Sequence, residues 1–175
     1  GPDKPESIQP FLNNLFKDPA IIDLPAILRL PLAKFISTRR APIAREIYDY
    51  LGGRSPLLPL TEEQASALGT ALTDQDSAHT YKVFISMRYW HPFSEETVSA
   101  VQAFDPDEIL LLPLYPQYST ATSASSFIDW KKSAAKMGLV KPTYTLCCYP
   151  VDNNWVTAQS DLLQTQIDTL ENDQK

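Results

Sequence analysis

The sequence predicts an α/β fold, a doubly wound parallel sheet of three to four strands flanked by helices. Short apolar runs at 82–87, 109–112 and 142–147 alternate with longer segments of helical periodicity. The run at 109–112 is apolar without interruption, which is typical of a strand buried on both faces of a parallel sheet. Strands that alternate with helices in this way build βαβ units. The length of 175 residues suits one domain with a single core.

Four helices are predicted in the first half of the chain, at 6–17, 26–37, 42–51 and 61–72. The second is apolar nearly all round, and Pro31 near its middle predicts a kink or a break. A basic turn at 38–42 separates it from the third helix, which Gly52 and Gly53 should end. The fourth should begin at Thr61, because a Gln three residues later completes a capping box.

Three more helices are predicted in the second half, at 94–104, 127–137 and 153–170. A hydroxyl-rich segment, 119–126, precedes the middle one. The polar tail at 171–175 is expected to fray. No strand precedes the first helix, although a βαβ pattern would supply one, so the first strand of the sheet is expected to be missing from the chain.

Polar and aromatic side chains follow two of the predicted strands. Arg88 and Tyr89 come directly after the first strand, and Tyr115, Gln117 and Tyr118 come after the central one. Ligands of open α/β sheets bind at the carboxyl ends of the strands. Two tyrosines and a glutamine supply a flat aromatic surface with polar groups, which suits a planar ligand. The alternative is that the tyrosines are half-buried packing groups at the end of a strand.

Composition and charge disfavour several classes of function. The net charge of −6 disfavours a nucleic-acid partner, which would need a basic face. Cys147 and Cys148 are adjacent in a predicted strand, where neighbours point to opposite faces, so a reducing compartment is expected. Neither has metal-ligand spacing with another cysteine. No apolar run approaches the roughly 20 residues of a membrane span, and no signal-peptide pattern is expected at the start.

Five motifs, in order along the chain, resemble those of ferrochelatases. They are FKDPAIIDLP at 16–25, TRRAP at 38–42, GGRSPL at 52–57, MRYWHP at 87–92 and LYPQYS at 114–119. Ferrochelatases are lyases of haem biosynthesis that insert Fe²⁺ into protoporphyrin IX. Their fold has two similar α/β halves with the porphyrin cleft between them, and the resemblance covers the first half. It implies that 1–175 is an N-terminal chelatase domain without its first strand and without the C-terminal catalytic half.

The resemblance implies a set of porphyrin-binding residues, namely Arg39, Arg40, Tyr48, Ser55, Arg88, Tyr89 and Tyr115. The arginine pair would meet porphyrin propionates, since a guanidinium can bind a carboxylate with two hydrogen bonds. The alternative for Arg39 is a helix-end arginine in water. The apolar second helix matches the lip of the cleft, with Ile27, Leu28, Leu32 and Phe35 as its residues. Read from the residues alone, this helix is either a buried core helix, the lip of a pocket, or a membrane-surface contact.

The resemblance also implies what this half should not contain. The family's catalytic Ser-x-His-x-x-Pro stretch does not occur here, and His91 belongs to a different motif, so no catalytic residue is predicted and the chain alone should be inactive. Thr120 stands where some relatives carry a cluster cysteine, so no iron–sulfur ligand is predicted, nor any resident cofactor or metal. The implied partners are protoporphyrin IX and Fe²⁺ as substrates and the C-terminal half of the same protein. The implied location is the cytoplasm, with peripheral membrane contact.

Two alternatives from other classes are kept. The hydroxyl run at 119–123 before a helix could cradle a phosphate, as in a flavodoxin-like FMN or phosphate-binding module, although flavodoxins place this loop after their first strand. A degenerate relative could also serve as a non-catalytic porphyrin carrier.

Overall fold

A small parallel sheet with helices packed beside it lies in the second half of the structure, a computed structural model that describes residues 1–173. The helices are α1 (Ile8–Phe16), α2 (Ala26–Asp49), α3 (Leu57–Gln75), α4 (Ser94–Phe104), α5 (Ser125–Met137) and α6 (Asn153–Asp173). The strands are β1 (Ile109–Leu111) and β2 (Thr143–Thr145). A 3₁₀ turn, Pro5–Ser7, precedes α1, and a π-helical turn, Thr120–Ala124, precedes α5. Part of the tail predicted to fray, residues 174–175, lies outside the described residues.

The two strands pair in parallel, with Ile109 opposite Thr143 and Leu111 opposite Thr145, and α5 lies in the connection between them. The predicted α/β class with a parallel sheet and flanking helices is therefore confirmed. The described sheet has two strands, fewer than the three to four predicted. The segment 82–87 forms no ladder and has only an isolated bridge between Met87 and Phe93. A strand exists through hydrogen bonds to a neighbouring strand, and among the described residues none pairs with 82–86 through such bonds.

A single helix, α2, replaces the second and third predicted helices and the basic turn between them. It continues through Pro31 and Pro42, so the predicted break is wrong. Packing explains the continuity, because Ala33 and Ser37 are completely buried and α2 lies against α1. Tertiary contacts of this kind outweigh the local preference of proline.

The two helices beside the Gly52-Gly53 turn differ in how well their ends were predicted. Both glycines have positive φ, and the Gly53 N–H donates to the Tyr48 carbonyl, which confirms the predicted helix end. The next helix, α3, begins at Leu57, four residues before the predicted start. The Thr61 hydroxyl donates to the Leu57 carbonyl at 2.7 Å and so acts inside the helix rather than as a cap.

A cluster of buried apolar side chains lies between the sheet and two helices. It consists of Val98 and Val101 from α4, Ile109 from β1 and Trp130 from α5. This core holds the carboxyl end of β1 and the start of α5 at fixed positions, which places the polar residues described below.

Large apolar side chains are exposed on several of the described helices, above all on α2 and α6. On α2 they include Ile43 and Ile47, and on α6 they include Leu162, Leu163, Ile167 and Leu170. Across residues 1–173, none of the helices has both the length and the apolar character needed to cross a membrane. Cys147 and Cys148, predicted within a strand, lie beyond the end of β2 as exposed free thiols.

Candidate functional site

A buried carboxylate, Asp18, holds together the residues that follow the extended segment 82–87. Its Oδ2 accepts hydrogen bonds from Arg88 Nη2 at 2.7 Å, from Tyr89 Oη at 2.9 Å and from Ser125 Oγ at 3.0 Å. Its Oδ1 accepts from the Ala20 N–H at 2.9 Å. Asp18 is 5% exposed, and Arg88 Nε also donates to Ser125 Oγ at 2.9 Å. We call Asp18, Arg88, Tyr89 and Ser125 the Asp18 cluster.

Three separate segments supply this cluster. Asp18 lies in the turn after α1, where the bond from its carboxylate to the N–H two residues on is an Asx turn. Arg88 and Tyr89 end the extended segment, and Ser125 is the first residue of α5. The hydroxyl-rich run thus places one of its serines inside the protein, bound to a carboxylate and a guanidinium.

The electrostatics of the cluster favour an ionised carboxylate and a neutral phenol. Burial alone would raise the pKa of Asp18, but the bonds donated by Ala20, Tyr89 and Ser125 and the charge of Arg88 outweigh it, so this pKa is lowered. Burial, with the hydrogen bond to Asp18, raises the pKa of Tyr89 to about 12. The Tyr89 hydroxyl is therefore a permanent donor to Asp18 near neutral pH.

Arg88 is fixed on every side of its guanidinium. Its Nη1 lies 3.3 Å from Asp129 Oδ1, and the other oxygen of Asp129 accepts from Ser94 Oγ at 2.7 Å. The guanidinium carbon lies 5.1 Å from the centroid of the Tyr89 ring. With two carboxylates and Ser125 as partners, Arg88 is held as a rigid, charge-compensated group.

A polar cleft of about 370 Å³ opens beside the cluster. Its lining residues are Asn14, Lys17, Arg88, Phe93, Ser94, Glu95, Asp129 and Ser133. Of the predicted porphyrin-binding residues, only Arg88 lines it. In the part of the chain that the structure describes, no group of three His, Cys, Asp or Glu side chains is arranged to hold a metal ion.

The other predicted binding residues lie on α2, in the loop after it and after β1. Arg39 and Arg40 are exposed on α2, and the Arg39 guanidinium carbon lies 5.3 Å from the centroid of the Phe35 ring. Tyr48 is half-buried, and burial raises its pKa. Ser55 donates its N–H to the Pro2 carbonyl at 2.8 Å.

Tyr115 follows β1 and is 58% exposed. Of the predicted binding residues, Arg88 and Tyr89 are the two whose side chains meet, because both donate to Asp18 Oδ2. Among residues 1–173, no hydrogen bond or ion pair joins Arg39, Arg40 or Tyr115 to the Asp18 cluster.

The predicted lip residues are mostly exposed on α2. Ile27 is 83% exposed, Leu28 57% and Phe35 59%, while Leu32 is half-buried. A buried core helix is therefore wrong for these three exposed side chains. Their exposure leaves an apolar surface free to contact another molecule or another part of the same protein.

Sequence reasoning missed Asp18, Ser125 and Asp129 as members of the site. In the sequence, Asp18 follows the first predicted helix and belongs to the FKDPAIIDLP motif, with no role in the site predicted for it. A local signal existed, since an Asp that ends a helix before Pro favours an Asx turn. Its partners are 70 to 107 residues away, however, and a single sequence carries no sign of such pairings.

Comparison with known proteins finds one family. A model of the family described as ferrochelatase matches residues 1–175. The ferrochelatase of Pelagibacter ubique is 51% identical over 172 residues, which cover 98% of this chain and 50% of that protein. The ferrochelatase of Phenylobacterium zucineum is 55% identical over 150 residues, 86% of this chain and 43% of that protein. That of Caulobacter vibrioides is 48% identical over 164 residues, 94% of this chain and 46% of that protein. The chain spans about half the length of the curated relatives it matches.

Proposed function

The chain belongs to the ferrochelatase family, and from this membership we propose that its parent protein inserts Fe²⁺ into protoporphyrin IX to make protohaem. We propose further that these residues form one wall of the porphyrin cleft. The observation that carries the proposal is the match along the whole chain, with 51% identity to a ferrochelatase over 98% of its residues.

The chemistry explains why such a wall would be needed. Metal insertion replaces two pyrrole N–H protons with one Fe²⁺ and releases both protons. The macrocycle must bend so that nitrogen lone pairs point out of its plane toward the metal. A rigid wall can hold the bent ring, because binding energy from the rest of the porphyrin offsets the strain. The rigidity of the Asp18 cluster supports this role.

The predicted binding residues would contact two different parts of the porphyrin, its charged propionates and the flat face of its ring. Arg39 and Arg40, exposed on α2, suit the two propionates, since each guanidinium can bind a carboxylate bidentately. The rings of Tyr89 and Tyr115 suit the flat face of the macrocycle. Tyr48, before the Gly52-Gly53 turn, and Ser55, after it, would border the same edge.

The lip would cover the apolar edge of the porphyrin. The exposed side chains of Ile27, Leu28 and Phe35, together with half-buried Leu32, form an apolar strip on α2. This strip also supports peripheral contact with a membrane, from which an apolar substrate could enter, for a protein located in the cytoplasm.

The C-terminal half of the same protein is the proposed partner of this chain. It would bring the catalytic histidine and the second wall, and it would cover apolar surface on α2 and α6. The isolated chain is therefore expected to be inactive. Thr120 remains the reason to predict no iron–sulfur ligand in this half.

Metal insertion by complementation tests the proposal. The chain is mixed with the separately expressed remainder of its reading frame, and metalloporphyrin formation is followed by absorbance with Fe²⁺ under anaerobic conditions. We expect product from the mixture and none from either half alone. Turnover by the chain alone would contradict the assignment of catalysis to the other half, and an inactive complete protein would contradict the function.

Neither alternative has an observation in its favour. A flavodoxin-like site would need free hydroxyls at 119–123, but Ser123 is completely buried and donates to the Gln117 carbonyl at 3.5 Å. A non-catalytic porphyrin carrier would bind protoporphyrin as the chelatase does, and it differs by giving no product in the complementation experiment.

A further inference from the structure

We propose that Asp18 is a positioning residue, which orients Arg88 and Tyr89 at the proposed porphyrin cleft and couples them to the turn that leads into the proposed lip helix, α2. This inference rests on the proposed function and assigns to that site a residue that does not itself contact the porphyrin.

The geometry of Arg88 gives the first argument. A guanidinium is planar, and hydrogen bonds on three of its nitrogens define both its position and its plane. Here Nη2 faces Asp18, Nε faces Ser125 and Nη1 faces Asp129. Asp18 provides the shortest of these three contacts, and it also binds Ser125, so its removal loosens two of the three.

Tyr89 gives the second argument. Its hydroxyl donates to the same Asp18 oxygen that Arg88 and Ser125 bind. The ring orientation and the guanidinium orientation therefore depend on one atom, and the 5.1 Å approach of the Arg88 guanidinium to the Tyr89 ring follows from it. A carboxylate that accepts three charge-assisted or polar bonds at one oxygen works as a unit with its donors.

The turn after α1 gives the third argument. The Asp18 carbonyl accepts the N–H groups of Ile21 and Ile22, each at 3.0 Å, while its side chain accepts the Ala20 N–H. The turn that precedes α2 is thus built on the residue that holds Arg88. A shift of Asp18 would move the start of the lip helix and the cleft wall together.

The test uses the complete reading frame that contains this chain, with kcat/KM for metal insertion measured for wild type, Asp18→Asn, Arg88→Met and the double variant. Asp18→Asn keeps the shape of the side chain but removes its charge. We expect kcat/KM to fall by on the order of 100-fold, the loss typical when a group at an active site is misplaced by about 1 Å. If Asp18 acts in part through Arg88, the double variant should lose less kcat/KM than the product of the two single losses.

A matched control separates positioning from general loss of structure. Asp3→Asn removes another carboxylate that binds side chains of this region, the Trp90 indole and the Ser7 hydroxyl, but does not touch Arg88. We expect it to keep the wild-type kcat/KM. Ser125→Ala is the milder second variant, for use if Asp18→Asn does not fold. It should lower kcat/KM while keeping the wild-type circular dichroism spectrum.

The outcomes distinguish the two proposals. A wild-type protein without metal insertion would overturn the proposed function, and the inference with it. An active wild type would overturn the inference alone in two cases: if Asp18→Asn, or Ser125→Ala in its place, retains full kcat/KM, or if the losses of Asp18→Asn and Arg88→Met multiply in the double variant.

Discussion

Asp18 shows how a charge can be stabilised inside a small protein. An isolated carboxylate in the interior is costly, but this one accepts four hydrogen bonds and faces an arginine. Three of the four donors, on Arg88, Tyr89 and Ser125, come from distant segments that folding must bring into place. The same contacts that satisfy the charge therefore fix the turn after α1, the residues after 82–87 and the start of α5 relative to one another.

The acid dependence of stability tests this account at the level of one residue. Asp18→Asn in the complete protein that contains this chain should lower the free energy of unfolding at pH 7 by about 3 kcal/mol, because Arg88 loses a buried partner. The folded-state pKa of Asp18 is lowered, so its contribution is complete above the unfolded value of 3.8 and is lost as the pH falls through the folded value.

Urea unfolding at pH 7, 5, 4 and 3 measures this effect. The curves of wild type and Asp18→Asn should converge below about pH 4. A difference that stays constant down to pH 3 would mean that the Asp18 charge contributes nothing.

At the residue scale, motifs could be predicted and pairings could not. The sequence placed Arg88 and Tyr89 together at the end of an extended segment, as the structure has them. It did not indicate that Tyr89 would donate its hydroxyl to Asp18, because the two are 71 positions apart. Hydrogen bonds of this range depend on the tertiary arrangement, which local patterns do not encode.

Among the elements, α2 best illustrates the competition between local preference and packing. Pro31 predicts a kink or a break and residues 38–42 predict a turn, yet burial of Ala33 and Ser37 against α1 holds a helix of 24 residues. The Gln9 side chain adds a hydrogen bond to Ser37 Oγ at 3.2 Å. One continuous helix places the proposed lip residues and the Arg39-Arg40 pair on a single rigid element.

The lip can be tested by a substitution on α2 that leaves stability unchanged. Ile27 is 83% exposed, so Ile27→Ser should change the free energy of unfolding by less than about 0.5 kcal/mol. If Ile27 covers the porphyrin, its loss should weaken the dissociation constant for protoporphyrin IX about tenfold, the equivalent of one buried aliphatic side chain.

Val140→Ser is the matched control, since Val140 is 89% exposed and lies between α5 and β2. If the two variants bind protoporphyrin IX with equal affinity in a fluorescence titration, Ile27 is not part of a lip that covers the porphyrin.

At the element scale, sequence patterns located most helices and one strand pair. Amphipathic periodicity and the Gly52-Gly53 turn set the positions of α4 and the end of α2 correctly. The segment 82–87 was predicted as a strand and is not one in the structure, because an apolar pattern does not supply the neighbouring strand that its hydrogen bonds need. Whether such a segment becomes a strand depends on a neighbour, which its own residues do not specify.

At the scale of the whole molecule, the exposed apolar surface determines how the isolated chain should behave in solution. Leu162, Leu163, Ile167 and Leu170 lie on one side of α6 and are exposed, as are Ile43 and Ile47 on α2. Exposing apolar surface of this kind to water is unfavourable in free energy, and such surfaces normally mark an interface. The proposed C-terminal half would cover them in the complete protein.

The isolated chain should therefore self-associate and have poor solubility. Sedimentation velocity across a range of concentrations should show growing species, and Leu163→Glu with Ile167→Glu should reduce them by charging the apolar side of α6. Thr157→Glu with Thr165→Glu adds the same two charges to the opposite side of the helix and should leave association unchanged. A monomer with a sharp two-state melt at high concentration would contradict this expectation.

The most direct test of the cleft wall is a titration of this chain with protoporphyrin IX, followed by the Soret band. We predict a saturable shift with one porphyrin per chain, weakened by Tyr115→Ser and by Arg88→Met and unchanged by Val140→Ser. A shift that does not saturate, or that all three variants leave unchanged, would contradict the assignment of these residues to a porphyrin cleft.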